Sequence, residues 1–259
     1  VLAEQMDAVD VFAPEAWPGG LNMSLSSGRS IWSSSSTDGL SLVARSDGVW
    51  RSDDGGFTWA PSGRVPDVHA FLDGPEGSVL AGTTKGVRVS RDDGRTWRSI
   101  KDPLLDIETF CFARDGNQFY AGTSEGLFKS MDGIRWAKVL SRYDSDVPVW
   151  SIAIDNFWDD GMWVVGPVGV LRSDNGGEQL RAAGQNTLMG TATLLPLSSP
   201  GHILAGGIDG VWESIDGGLR WRPIVNGLPS PAARLLVSSA DGPLVGAVDG
   251  VFRLTETAP

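Results

Sequence analysis

Arg142, Tyr143, Asp144 and Asp146 stand together in the connection VLSRYDSDVP. A cation, a phenol and two carboxylates in one short loop suit recognition of a polar or protein ligand. An ordinary solvated loop has the same make-up. A second set is dispersed along the chain. Asp47, Glu125, Asp209 and Asp249 each immediately precede a glycine. Together they could form a broken acidic ring, yet Asp-Gly is also simply good turn chemistry. Trp158 is a third candidate, because aromatic faces stack on sugars. His69 and His202 are the only two histidines, and no His, Cys and carboxylate spacing resembles a metal site. Cys111 lies between Phe110 and Phe112 and reads as a buried small hydrophobe. No nucleophile elbow, phosphate-binding loop or dinucleotide fingerprint appears. No catalytic residue, metal or cofactor is therefore assigned.

The elements that position these residues are set by one repeated stretch. It runs GVWRSDDGGFTW from Gly48, GVRVSRDDGRTW from Gly86 and GLFKSMDGIRW from Gly126. It continues as GVLRSDNGGEQL from Gly169 and GVWESIDGGLRW from Gly210, and a last copy opens with GVFR at Gly250. The glycines recur every 38 to 43 residues, a period that points to propeller blades. Before each copy come an apolar run, a polar turn and a second apolar run. The inner runs are predicted at 30–34, 68–72, 109–113, 149–154, 192–197 and 234–237, with second strands starting near 40, 78, 118, 162, 203 and 244. Four antiparallel strands per repeat result, with almost no helix. Residues 1–16 do not match the repeat, whereas Trp17 aligns with the tryptophan that closes later copies. The last copy stops short of its own Trp, so the segment Phe12–Trp17 is predicted to supply its outer strand. The expectation is an all-β, six-bladed β-propeller of four-stranded antiparallel blades, one domain over residues 1–259, its last blade closed by the N-terminal strand.

Composition narrows the function classes. The chain has 259 residues, 41% hydrophobic, with 34 glycines and 15 prolines, which fits short strands and tight turns. The formal net charge is −11, so a surface that repels phosphates is expected, and neither nucleic acid nor anionic membrane is a favoured partner. No apolar run is long enough to span a bilayer as a helix. No signal peptide is visible at residues 1–10, and a processed chain would look the same, so compartment is not read.

Within each copy the turn has the pattern Ser-x-Asp-x-Gly-x-Thr-Trp. Ser52, Asp54, Gly56, Thr58 and Trp59 fit it, as do Ser90, Asp92, Gly94, Thr96 and Trp97. Ser214, Asp216, Gly218 and Trp221 keep it with Arg220 in place of Thr. Ser130, Asp132 and Trp136 keep it one residue short, and Ser173, Asn175 and Gly177 keep its first half before Leu180. A short carboxylate there accepts backbone N–H groups across the turn, and Trp buries roughly 150–250 Å².

This pattern resembles the Asp-box, or BNR repeat, of sialidases, sortilin-type receptors and the photosystem II stability/assembly factor family. The resemblance covers about residues 12–255. It implies a propeller whose Asp-box turns lie on the blade periphery, away from any catalytic centre. These turn residues are accordingly read as structural. Asp-box families differ in activity, so the resemblance speaks to fold first. The nearly all-blade texture is most similar to the assembly factors and implies a non-catalytic interaction propeller: a scaffold, assembly factor or accessory subunit with a protein partner. Two alternatives stand beside it. One is a carbohydrate-binding propeller, given the 11 tryptophans. The other is a sialidase-like glycoside hydrolase, which by resemblance needs three arginines, a Tyr nucleophile and an acid. Tyr120 and Tyr143 are the only tyrosines, and the Arg-Ile-Pro entry of that family is absent.

Overall fold

A strand buried on both faces reads as an unbroken apolar run instead of an alternating one. Val79-Leu80-Ala81 and Ile203-Leu204-Ala205 are such runs, and all six residues are buried. The computed structural model describes residues 6–8, 31–37, 40–45, 48–63, 65, 67–101, 103–139, 146–157, 161–184, 188, 190–224, 232–239, 241–247 and 250–254. The chain divides into two compact units, Phe12–Val139 and Val1–Val11 with Leu140–Pro259. Numbering in chain order, strand β1 (Met6–Ala8) belongs to the second of these.

The unit Phe12–Val139 holds three four-stranded antiparallel sheets. The first comprises β2 (Ile31–Thr37), β3 (Leu40–Arg45), β4 (Gly48–Ser52) and β5 (Ala60–Pro61). The second comprises β6 (Val68–Asp73), β7 (Val79–Thr83), β8 (Gly86–Ser90) and β9 (Arg98–Ser99). The third comprises β10 (Thr109–Asp115), β11 (Gln118–Thr123), β12 (Gly126–Ser130) and β13 (Ala137–Lys138). Each sheet pairs its strands in sequence order. Two layers of side chains join the three sheets. Leu42, Ala44 and Val49 meet Val68, Val79, Ala81 and Trp97 in one. Leu80, Val87 and Leu104 meet Phe119, Ala121, Phe128 and Trp136 in the other. Alternation along β7 thus sends Val79 and Ala81 to one neighbour and Leu80 to the other. Each such fully buried aliphatic side chain contributes about 1.5–3 kcal/mol.

The second unit repeats the plan. Its sheets are β14 (Ser151–Asp155), β15 (Gly161–Gly166), β16 (Gly169–Ser173) and β17 (Arg181–Ala182), then β18 (Thr191–Pro196), β19 (Ile203–Gly207), β20 (Gly210–Ser214) and β21 (Arg222–Ile224). The last sheet contains β22 (Ala233–Val237), β23 (Leu244–Ala247) and β24 (Gly250–Leu254), with β1 as its fourth strand. Trp163, Val165 and Val170 pack on Leu194, Ile203 and Ala205, and Leu204 and Val211 pack on Leu236, Val245 and Phe252.

Two expectations need correction. The N-terminal strand that pairs with β24 is Met6–Ala8, in the register Met6↔Leu254, Asp7↔Arg253 and Ala8↔Phe252. It lies upstream of the expected segment 12–17, which falls outside the described residues. The closing tryptophans also stand outside the outer strands. Trp59, Trp97, Trp136 and Trp221 end the turns, and the short strands begin one residue later. Each indole N–H instead bonds back to a turn carbonyl three residues earlier, as Trp59 does to Gly56 (2.9 Å), which ties the residue to the turn. Pro61 is tolerated in β5 because that strand is an edge.

Inner strands share one irregularity. Register slips by a residue at Trp32, His69, Phe110, Ala192 and Arg234, the second residue of β2, β6, β10, β18 and β22. Trp150 holds the equivalent place just before β14, where its N–H donates to the Val165 carbonyl (2.8 Å). Such bulges re-aim a side chain out of the pleat. Among the described residues the one helical piece is a 3-10 turn at Pro75–Gly77, and no helix is long and apolar enough to cross a membrane.

Candidate functional site

The recurring turns have nearly identical hydrogen bonds. Ser52 Oγ donates to Asp54 Oδ1 (2.7 Å) and accepts from the Gly56 N–H (2.8 Å). The Thr58 N–H and hydroxyl fill Asp54 Oδ1 and Oδ2 (2.9 and 2.6 Å). Asp92 is held the same way by Ser90 and Thr96. The Thr hydroxyl, the Thr N–H and the Ser hydroxyl all favour the ionised form, so the Asp54 and Asp92 carboxyls fall to about 2. In the shorter third copy the Arg135 N–H and guanidinium take the place of Thr, and Asp132 is also lowered, chiefly by that N–H. Asn175 does the work of the carboxylate through one oxygen, accepting from Ser173 (2.9 Å) and the Gln179 N–H (2.8 Å).

These turns also join sheets. The Trp97 indole N–H reaches Ser62 Oγ of the preceding sheet and the Gly94 carbonyl, each at 3.1 Å. Trp221 does the same to the Ala183 carbonyl (3.2 Å) and the Gly218 carbonyl (3.1 Å). A methyl group on Gly94 would meet Leu42 at 2.7 Å, and one on Gly218 would meet Trp163 at 2.7 Å. Arg51 donates to the Asp93 carbonyl (2.7 Å) across the first two sheets and pairs with Asp53 (2.9 Å). Arg172 spans the corresponding pair of sheets to the Gly217 carbonyl (3.4 Å). A cleft of about 340 Å³ beside Arg51 is lined by Asp53, Asp93 and Arg95, whose charges pair with one another. Polar groups of this end are largely consumed by holding turns and sheets together.

The opposite end of each unit is built from the turns between second and third strands and the connections between sheets. Here the candidates separate. Glu125 is exposed in the turn after β11, its N–H donated to Thr123 Oγ1 (3.1 Å). Asp209 is exposed in the turn after β19, and Asp146 is exposed before β14. Asp47, Arg142, Tyr143, Asp144, Trp158 and Asp249 lie outside the described residues, so the expected clusters are not assembled from described side chains.

A group not foreseen from the sequence sits at this end of the unit Phe12–Val139. His69 Nε2 lies 3.0 Å from Glu108 Oε1, and the His69 and Phe110 rings are 6.0 Å apart and tilted by 44°. His69 and Glu108 keep 31% and 39% of their side-chain surface. His69 and Phe110 are the bulged residues of adjacent inner strands, so both leave the pleat at the same level. The scaffold beneath them is firm. The Ser124 N–H donates to the Glu108 carbonyl (2.9 Å), and the Thr84 N–H to that of Asp67 (3.3 Å). Buried Leu104 anchors the connection before Glu108. Gly86, at φ +86°, leaves space for the Leu104 carbonyl that any Cβ would occupy. The signal emerges only from strand register. Placed by register, the six inner strands carry Trp, His, Phe, Trp, Ala and Arg at one position.

A second histidine is fully engaged. His202 Nε2 lies 2.7 Å from Glu213 Oε1, and Ser199 Oγ lies 3.3 Å from His202 Nδ1. Arg222 grips Glu213 Oε2 through Nε (2.7 Å) and a terminal nitrogen. Glu213 is buried and charge-paired, which fits structural use. No group of three or more His, Cys, Asp or Glu able to hold a metal occurs among the described residues.

No family model matches the chain, and no curated protein does. Solved structures do. The extracellular domain of BT4673 from B. thetaiotaomicron superposes with a TM-score of 0.69 at 16% identity, over 86% of this chain and 32% of that one. YCF48 bound to D1 peptide gives 0.67 at 16%, over 89% and 79%. An ancestral GH74 enzyme gives 0.67 at 16%, over 88% and 37%. The chain thus spans about a third of the first and third of these proteins. At such identities the likeness shows the fold, and with six antiparallel sheets in sequence order that fold is an all-β, propeller-like one.

Proposed function

We propose that this chain is a non-catalytic interaction propeller that docks a protein segment. Its six sheets are the blades, its recurring turns are Asp-boxes, and β1 completes the sixth blade. The observation that carries the reading is the contrast between the two ends of the unit Phe12–Val139. One end uses its polar side chains internally, whereas the other lifts His69 and Phe110 out of bulged strands beside the half-open Glu108. Turn and connection residues on a rigid scaffold are where binding usually resides. The fold likeness to YCF48, a protein solved with a bound peptide, supports a protein partner for such a scaffold.

The test is affinity capture from native lysate by the tagged chain, beside two variants. One replaces Ser141–Asp146 with Gly and Ser, and the other carries His69→Ala with Phe110→Leu. A stoichiometric protein captured by the native chain and lost in either variant supports the reading. Equal capture by all three removes both sites from it. Turnover of glycosides by the purified chain overturns it in favour of hydrolysis.

Carbohydrate binding is the second reading, favoured by Trp150, which is 41% exposed at the bulge-equivalent position, and by Trp158 nearby in sequence. Glycan-array binding that is lost in Trp158→Ala supports it.

A further inference from the structure

The chemistry at His69, Glu108 and Phe110 is one-sided. A hydrogen bond from His69 Nε2–H to Glu108 Oε1 leaves Nδ1 of the ring as an acceptor. Glu108 Oε2 has no hydrogen-bond partner among the described residues. The Phe110 ring adds a π-face, which is electron-rich. Nothing in this group donates outward. The surrounding turns and connections add exposed Asp67, Asp106 and Glu125, against exposed Lys85 and Lys101. A carboxylate oxygen, an imidazole nitrogen and an aromatic ring within one patch complement a donor-rich cation, above all a planar guanidinium.

We infer that this patch is a pocket for a cationic side chain, and that the segment docked here presents an arginine to Glu108, His69 and Phe110. The inference rests on the interaction reading above and names the chemistry of its partner. A guanidinium donates to Glu108 Oε2 while its plane lies against Phe110, and His69 holds the carboxylate in place through Oε1. Lysine fits less well, since an ammonium has no plane to lay against the ring.

The test uses the whole chain and N-acetyl-arginine amide, followed by NMR of the imidazole nitrogens. With only two histidines the spectrum has two ring systems, and His202, closed by Ser199 and Glu213, is the internal reference. The expected result is a saturable, millimolar shift at His69 with none at His202, absent with the uncharged N-acetyl-citrulline amide. Glu108→Gln weakens the titration about tenfold and Phe110→Leu about threefold, while Asp53→Asn, at the opposite end of the same unit, changes nothing. A native-like urea unfolding midpoint reports that each variant is folded. Equal shifts with citrulline, or native-like titration of Glu108→Gln, overturn the inference. If arginine fails to bind but a captured protein is still lost on His69→Ala with Phe110→Leu, the cation assignment falls and docking survives. If arginine binds and nothing is captured, the pocket stands and the docking reading falls.

Discussion

Asp54 and Asp92 each serve as acceptor for two Thr groups and a Ser hydroxyl, and Asn175 shows that an amide oxygen can hold the same turn. The two roles of the carboxylate, acceptor and charge, can therefore be separated. Both acids titrate at about 2 in the folded chain, below the ordinary 3.8, so their stabilisation is fully present above pH 4. It is lost as pH falls from there through about 2. The double variant Asp54→Asn with Asp92→Asn keeps the Oδ1 acceptor and loses this dependence. Its urea midpoint is expected to lie slightly below native at pH 6 and to converge with native near pH 2. Divergence that grows toward low pH contradicts the assignment. Glu213 makes a second case. In register it occupies the position of Arg51, Lys129 and Arg172 in other sheets, but with reversed charge. Buried between His202 and Arg222, it depends on its partners. Arg222→Leu is expected to cost about 3 kcal/mol in denaturant unfolding, more than Glu213→Gln, because the first leaves a buried charge underpaired.

At the level of the element, the recurring turn is a joint as well as a turn. Gly218 sits at φ +81° with Trp163 of the preceding sheet where a Cβ would go, while Gly55, at φ +74°, has open space. Gly218→Ala is expected to cost about 2–4 kcal/mol and Gly55→Ala about 1–2 kcal/mol, read from urea unfolding. Comparable losses at both sites contradict the joint. The sequence made these elements legible because period and turn chemistry are local. The second strands predicted from Leu40, Gln118, Ile203 and Leu244 begin at those residues. The His69–Glu108 pair was not legible, because the two residues are 39 apart and meet only when adjacent sheets pack. Nor does a one-residue bulge leave a mark in composition, so His69 and Phe110 read as ordinary strand residues. Arg142, Tyr143 and Trp158, which local composition favoured, fall outside the described residues.

For the whole molecule, the sheet β22–β24 depends on a strand from the far end of the chain. β1 covers β24 in an antiparallel ladder at Met6, Asp7 and Ala8. Deleting residues 1–8 bares that edge, a template for pairing with another chain. The deletion variant is expected to unfold several degrees lower and to self-associate with rising concentration in sedimentation. A variant as stable and monomeric as the native chain contradicts a structural role for β1.

That ladder also has a timetable. Ala8 leaves the ribosome roughly 240 residues before Phe252, its partner. At about 5–20 residues per second, the N-terminal strand waits on the order of ten seconds or more for its sheet. Every other strand can find its neighbours shortly after it emerges, because pairing follows chain order. That sheet is therefore finished only once Gly250–Leu254 has emerged. Until then Met6–Ala8 stays without its partner, open to chaperones and proteases, longer than any other described strand.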